Sequence, residues 1–360
     1  MRSAAPASRA AFERGPAALT HREAATRISP DAEQQYWAAR RGIGLADRSD
    51  VGRLTMTGAD SLDLLHRLST QDLLPLQPGQ GAATVLTSEK GRIVDLLTVY
   101  RFQAHLLLLT SPGNQDAVTQ WVDKYTIIEE TETADVTDET GLLDFFGPNA
   151  LRLAERLGGV RARDLPAFHH LQVSLEDIEA TLARTASPSG DAFFLVLPKG
   201  ARADDAATIL ADRAHDLGLQ RIERAALETL RVEAGRPAFG HELDQRFNPL
   251  EAQLRWAISF AKGCYIGQEV VARLDTYKKV QKLLVGLRLP ETADVDPDAR
   301  LEADGKERGF VTSVGYSPAL RRPIALAYVR TAYAEPGTRL RLDGPDGPVE
   351  AEVVPLPFVR

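Results

Sequence analysis

Cysteine is almost missing from this chain: its 360 residues hold one, Cys264, with two methionines and three tryptophans. A single thiol rules out any disulfide within the chain, which fits a reducing, cytoplasmic compartment. It also rules out a cluster site built from several cysteines of this chain alone. An excess of positive charge is missing too. Asp and Glu number 50 against 43 Lys and Arg, a net charge of −7, so a general nucleic-acid partner has no electrostatic support. No apolar run approaches the roughly 20 residues a membrane helix requires, so no membrane partner is expected. The seven histidines are scattered, or adjacent as in His169-His170, without ligand spacing, and no metal site is expected. Neither a Walker loop nor a Gly-x-Gly-x-x-Gly turn after a strand is present.

What is there reads as an ordinary globular protein, with 44 % hydrophobic and 26 % charged residues. The length predicts two or three domains. Met1 to about Pro30, rich in Ala, Arg and Ser, reads as a mobile arm rather than a targeting segment. Asp31 to Arg41 has helical spacing, Arg53 to Gly58 alternates like a strand, and Asp60 opens a helix to Leu68. Ala82–Thr87, Ile93–Phe102 and His105–Thr110 read as strands, and Pro112 to Tyr125 as a helix. A second block begins near Leu142, with a helix to about Leu157, a strand at Phe193–Leu197 and a helix from Ala203 to Leu217. Glu223 to Ala234 is helical, and Pro290 to Pro297 reads as a linker. Short strands and the turn Gly344-Pro345-Asp346-Gly347 beyond it predict a small antiparallel barrel. Meanders beside crossovers make the fold class α+β rather than a doubly wound sheet.

The densest motif is Lys262-Gly263-Cys264-Tyr265-Ile266-Gly267-Gln268-Glu269. Glycines on both sides allow a bend that presents the thiol, and a neighbouring cation favours thiolate. A small buried hydrophobe that happens to be cysteine is the alternative reading. Glu269 and Arg273 are four apart, a spacing that permits an ordinary helical ion pair. Tyr265 reads as a channel wall or as core.

This motif resembles the signature of the YgfZ family, folate-binding proteins that maintain iron–sulfur enzymes. That family is similar to the glycine cleavage T-protein, an aminomethyltransferase, within one superfamily. Leu230-Arg231-Val232-Glu233-Ala234-Gly235-Arg236-Pro237, Gly240-His241-Glu242-Leu243-Asp244 and Asn248-Pro249-Leu250-Glu251-Ala252 resemble both branches. Gly58-Ala59-Asp60 and Phe145-Phe146-Gly147-Pro148-Asn149-Ala150 resemble the superfamily's opening segment and its second strand-to-helix turn. The resemblance implies three modules, ferredoxin-like domains around a central folate cavity with a C-terminal antiparallel β-barrel. The corresponding boundaries are an arm at 1–30, a folate-binding domain from 31–140 and 221–289, a middle domain at 141–220 and a barrel at 290–360.

The resemblance also assigns roles. A carboxylate suits the paired donors of a pterin, and a cation suits folate's glutamate tail. Glu233 falls on the pterin position and Lys262 on the position serving the tail, with Tyr265 and Arg273 completing the tetrahydrofolate-binding set. Cys264 is the expected reactive group, with Gln268 and Glu269 beside it. In T-proteins the loop matching Glu89-Lys90-Gly91-Arg92-Ile93-Val94-Asp95-Leu96 ends in two aspartates, one of which assists transfer. Here Asp95 remains a catalytic candidate and Leu96 replaces the second acid. The expectation is a monomeric, tetrahydrofolate-binding accessory factor that serves iron–sulfur client or assembly proteins, with an aminomethyltransferase-like fold but no glycine cleavage activity. Two alternatives stand beside it: an aminomethyltransferase of the glycine cleavage system, and a folate-sensing scaffold without chemistry.

Overall fold

The structure, a computed structural model, describes residues 28–185, 190–344 and 347–359. The expected arm at 1–30 lies outside them except for its last three residues, as do Pro345 and Asp346 of the expected turn.

The first helix, α1 (Pro30–Arg41), starts where Ser29 Oγ accepts from the Ala32 N–H at 3.2 Å and a proline fills the first turn. Asp31 and Glu33 at its start and Arg40 and Arg41 at its end complement the helix dipole. It leads into β1 (Ile43–Asp47) and β2 (Arg53–Thr57), then α2 (Ser61–Leu68). The chain continues through β3 (Gly81–Thr87), β4 (Ile93–Arg101), β5 (Leu106–Leu109), α3 (Gln115–Tyr125) and β6 (Glu132–Asp135). Five of these strands make an antiparallel sheet in the order β3-β4-β5-β2-β6. Arg53, fully buried in β2, donates to the carbonyls of Val51 at 2.6 Å and Thr140 at 3.0 Å and to Thr140 Oγ1 at 2.7 Å. Carbonyl acceptors make its burial tolerable and bind the 137–140 turn to the sheet.

The second sheet takes β1 together with β7 (Gly141–Gly147), β8 (His170–Leu175), β9 (Ile178–Thr185), β10 (Asp191–Leu197) and β11 (Leu219–Arg221). Its order is β11-β1-β7-β10-β9-β8, with one parallel pair, β1 and β11. Thus β1, from the block expected at 31–140, hydrogen-bonds to β7 of the middle block. Helices α4 (Ala150–Arg163) and α5 (Ala203–Arg213) belong to this half, and α6 (Arg224–Glu233) returns the chain toward α1. The helix expected to reach Leu217 stops at Arg213. The β8–β9 hairpin, absent from the expectation, turns at Glu176-Asp177 without glycine, and Glu176 itself takes φ 56°.

Strand alternation decides what meets what. Leu97 and Val99 of β4 and Leu106 and Leu108 of β5 pack with Leu64, Leu65, Val118 and Val122 of α2 and α3. Leu143 and Phe145 of β7 pack on the α4 and α5 side with Leu153 and Leu210. The opposite faces meet: Tyr100, Leu107 and Leu109 of the first sheet cluster with Leu142 and Ala183 of the second. The two sheets therefore pack face to face with helices outside them, a mixed α+β arrangement with ferredoxin-like sheets.

After α7 (Gln268–Thr276), the strands β12 (Lys282–Arg288), β13 (Arg300–Ala303), β14 (Lys306–Ser317), β15 (Arg322–Arg330), β16 (Arg339–Gly344) and β17 (Gly347–Val354) close into an antiparallel barrel. Its outer residues Ile324, Leu326 and Tyr328 pack with Val85 and Ile93 of the five-stranded sheet and with Phe247. The Phe247 and Tyr328 rings stack at 3.8 Å. No helix among the described residues is long and apolar enough to cross a membrane.

Candidate functional site

The motif at 262–269 forms a loop clasped onto the five-stranded sheet. Lys262, buried, donates from Nζ to the carbonyls of His66 at 2.5 Å, Ser69 at 2.8 Å and Gln71 at 2.9 Å. Those carbonyls lie in and just beyond the last turn of α2, where backbone acceptors lack helical partners, so the ammonium acts as a C-terminal cap. Burial pushes its pKa down to about 8. Its three protons are thereby taken up by backbone carbonyls. Ile266 N–H donates to the Arg67 carbonyl at 2.9 Å, and Thr87 Oγ1 donates to the Ile266 carbonyl at 2.6 Å. Gly267, at φ 83°, comes so close to the Ser88-Gly91 turn that a Cβ there would stand 2.4 Å from the Ser88 carbonyl oxygen. Gly263, in contrast, has open space around it.

Tyr265 is buried, and burial pushes its phenol up to about 12. Its N–H donates to Gln268 Oε1 at 3.3 Å, and Lys262 Nζ lies 5.2 Å from its ring. Lys262, Tyr265 and Gln268 are thus together as packing. Cys264, Glu269 and Arg273 are exposed, and no ion pair joins the last two.

Asp95 and Leu96 point to opposite sides of β4. Asp95 is fully buried on the helix side, where Oδ2 accepts from the Ser111 N–H at 2.9 Å and Oδ1 from the Ser111 hydroxyl at 2.5 Å. Oδ1 also accepts from the Leu96 N–H at 2.8 Å. Burial raises its pKa to about 6 against these hydrogen bonds. Asp95 therefore holds the segment that leads into α3. Leu96 packs with Phe168 and Val85 on the other face, so the position without an acid is the one on the same side as Tyr100.

Glu233 is likewise engaged. Its carboxylate accepts from Tyr36 Oη at 3.0 and 2.8 Å and from the Ser317 hydroxyl, joining α1, α6 and the barrel. Burial raises its pKa. The structure does not bring Glu233, Asp95 and Cys264 into one constellation.

A different acid lies between the sheets. Asp144 is the central residue of β7, a strand whose seven residues are all buried. It shares a face with Leu142 and Phe146, and its cross-strand neighbours are Ala46 and Phe194. Its Oδ1 has no hydrogen-bond partner, and neither has Tyr100 Oη on the facing sheet. Burial pushes the Asp144 carboxyl up to about 6, while the cations of Arg48 and Arg236 pull the other way. Burial and the nearby Asp144 charge raise the Tyr100 phenol well above its usual range. Half-buried Phe102, Phe194 and Val196 border the same cluster. Gly81 permits the ring of Tyr100: a Cβ there would meet Tyr100 Cδ1 at 2.7 Å. The sequence reading passed over this pair, although an acid in the middle of Leu142-Leu143-Asp144-Phe145-Phe146 is a visible anomaly. Two open concavities, about 400 Å³ beside Arg339–Arg341 and about 620 Å³ beside Lys199–Arg202, are lined by charges of both signs and by none of these residues.

Comparison with known proteins now bears on this geometry. Residues 9–262 match the GCVT N-terminal domain, and residues 282–360 match the glycine cleavage T-protein C-terminal barrel domain. An aminomethyltransferase from Chlorobium phaeovibrioides is 31 % identical over 330 residues, 91 % of this chain and 90 % of the relative. One from Geobacillus kaustophilus is 32 % identical over 335 residues, again 91 % of this chain and 90 % of the relative. The crystal structure of glycine cleavage system aminomethyltransferase T from Bartonella henselae superposes with a TM-score of 0.80 at 25 % identity, covering 91 % of this chain and 89 % of that one. These relatives overturn the expected iron–sulfur accessory function and favour its aminomethyltransferase alternative. The physical reason is local: the expectation gave its weight to the 262–269 loop, whose lysine, tyrosine and second glycine serve packing. With both domains matched in order along most of its length, the chain belongs to the glycine cleavage T-protein family.

Proposed function

We propose that this protein is an aminomethyltransferase that passes the one-carbon unit of an aminomethyl-lipoyl carrier to tetrahydrofolate. The observation that carries this reading is the similarity to proteins named aminomethyltransferase across 91 % of the chain, sheets and barrel alike. In the reaction a carbon–sulfur bond breaks, the methylene carbon bonds to the folate nitrogens, ammonia leaves and the carrier thiol is regenerated. The protein's part is to hold the folate ring away from water and to accept or orient its protons. The buried polar atoms between the two sheets, bordered by Phe102 and Phe194, suit that task.

Leu96 is the feature that favours a second reading, a folate-binding protein without transfer chemistry, because it removes an acid from the inter-sheet side of β4. One experiment separates the two. The protein is incubated with aminomethyl-lipoyl carrier protein and tetrahydrofolate, and methylene-tetrahydrofolate and ammonia are measured. Aminomethyl transfer predicts equal amounts of both, with carrier thiol released. Folate binding without either product would remove the transfer reading.

A further inference from the structure

We propose that residues 255–260 and the end of α7 form a docking face for an anionic lipid surface. Trp256, Phe260 and Tyr277 would enter the headgroup layer, and Arg255, Lys278 and Lys279 would meet lipid phosphates. This goes beyond the aminomethyltransferase reading and does not depend on it.

Single exposed hydrophobics are ordinary on a protein surface, whereas a contiguous group of them marks a contact. Among the described residues, the exposed large aromatics are Trp256 at 55 %, Phe260 at 44 % and Tyr277 at 65 %, all within one short stretch of chain. Side-chain contacts make that stretch one surface. Arg255 Cζ lies 4.4 Å from the Phe260 ring, and Arg255 Nη2 donates to Asp275 Oδ2 of α7 at 3.3 Å. Lys278 Nζ reaches Asp275 at 3.3 Å, and Lys279 Nζ lies 5.5 Å from the Tyr277 ring. Trp256 follows Arg255 within the turn 255–257.

Charge decides what such a face suits. From 255 to 282 the surface carries five Lys and Arg residues against two acids, on a chain whose net charge is −7. Lys262, the sixth cation of this stretch, is buried. The exposed pair Ile127-Ile128 makes the contrast: Glu129, Glu130 and Glu132 follow it, and an anionic surface repels them. Each cation held near an anionic leaflet adds to binding, and Trp and Tyr rings favour the headgroup level. Lysine is depleted at protein–protein interfaces, so Lys278 and Lys279 beside exposed aromatics favour lipid over an acidic protein. The contact is peripheral and needs no helix that crosses the bilayer.

Sedimentation with phosphatidylglycerol vesicles tests the face in the full chain, in a mixture holding neither folate nor carrier. The wild type should bind these vesicles roughly tenfold more tightly than phosphatidylcholine ones, a preference that fades as salt rises. Lys278→Gln combined with Lys279→Gln should weaken binding roughly thirtyfold, and Trp256→Ser roughly tenfold, with circular dichroism unchanged. Vesicle contact should move tryptophan emission to shorter wavelength. Trp256→Phe should remove that shift, since Trp37 and Trp121 are half-buried in other parts of the fold. Equal binding to both lipids, or unchanged binding in either the lysine or the Trp256→Ser variant, overturns the proposal. So does a wild type that ignores vesicles while the lysine variant loses transfer from the carrier, which would assign the face to an acidic protein.

Discussion

Two seams of this molecule bury acids, and they treat them in opposite ways. At the junction of α6 with α1 and the barrel, Glu233 is bound by Tyr36 and Ser317. Nearby Glu242 accepts from Arg231 at 3.1 Å, Ser313 at 2.6 Å and the Ala238 N–H at 3.0 Å. Arg231 also pairs with Glu228 at 2.5 Å. These acids join parts of the chain far apart in sequence. Between the two sheets, Asp144 Oδ1 and Tyr100 Oη have no hydrogen-bond partner. A satisfied buried acid joins the elements that donate to it, whereas an unsatisfied one weakens the fold.

The largest effect is expected at the first seam. Glu242→Ala leaves Glu228 as the one carboxylate partner of Arg231 and takes the acceptor from the Ser313 hydroxyl and the Ala238 N–H, so stability should fall by about 3 kcal/mol in urea unfolding. A loss below about 1 kcal/mol would erase the contrast between the seams.

The second seam should respond with the opposite sign. Burial raises the Asp144 carboxyl from its ordinary 3.8 to about 6, so the folded chain holds a proton there that the unfolded chain has released. Stability is then lost as pH rises from about 4 to about 6, and the charged form costs about 3 kcal/mol at pH 7. The charged groups acting on it, Arg48 and Arg236, are included in that balance, and Tyr100 stays neutral throughout. Asp144→Asn should therefore raise the thermal midpoint at pH 7, with a gain that fades below about pH 4. An equal drop at both pH values would make Asp144 a structural acid like Glu233.

Smaller effects are expected in the 262–269 loop. Lys262→Met leaves the carbonyls of His66, Ser69 and Gln71 without their donor and should lower stability by about 1–2 kcal/mol. Retention of full stability would mean that the cap is replaced by water. Cys264→Ser should be the mildest, within about 0.5 kcal/mol, because the thiol is exposed. A drop above about 1 kcal/mol in the same unfolding assay would assign the thiol a packing role.

The sequence carried the outline of this fold more clearly than its chemistry. Alternation placed β2 to β5, and the turn-rich tail beyond Pro290 announced a barrel, because both patterns are local. The β8–β9 hairpin escaped notice because Glu176 and Asp177 occupy a turn where glycine or asparagine would have been the signal. β1 was missed because its partners, β7 and β11, lie about 100 and 175 residues away, beyond any local pattern. Side-chain roles were harder still. Lys262 reads as a cation beside a thiol, but its acceptors are carbonyls more than 190 residues earlier. Period-two alternation already separates Asp95 from Leu96, so the retained acid could have been assigned to the wrong face for the inter-sheet seam. Asp144 was visible as a charge in an apolar strand, while its lack of a partner depends on the facing sheet.

The most direct measurement is a crystal structure of the protein with 5-formyltetrahydrofolate. The account predicts the pterin between the two sheets, beside Phe102 and Phe194. A pterin seated on Glu233, with Tyr36 and Ser317 displaced from its carboxylate, would contradict it.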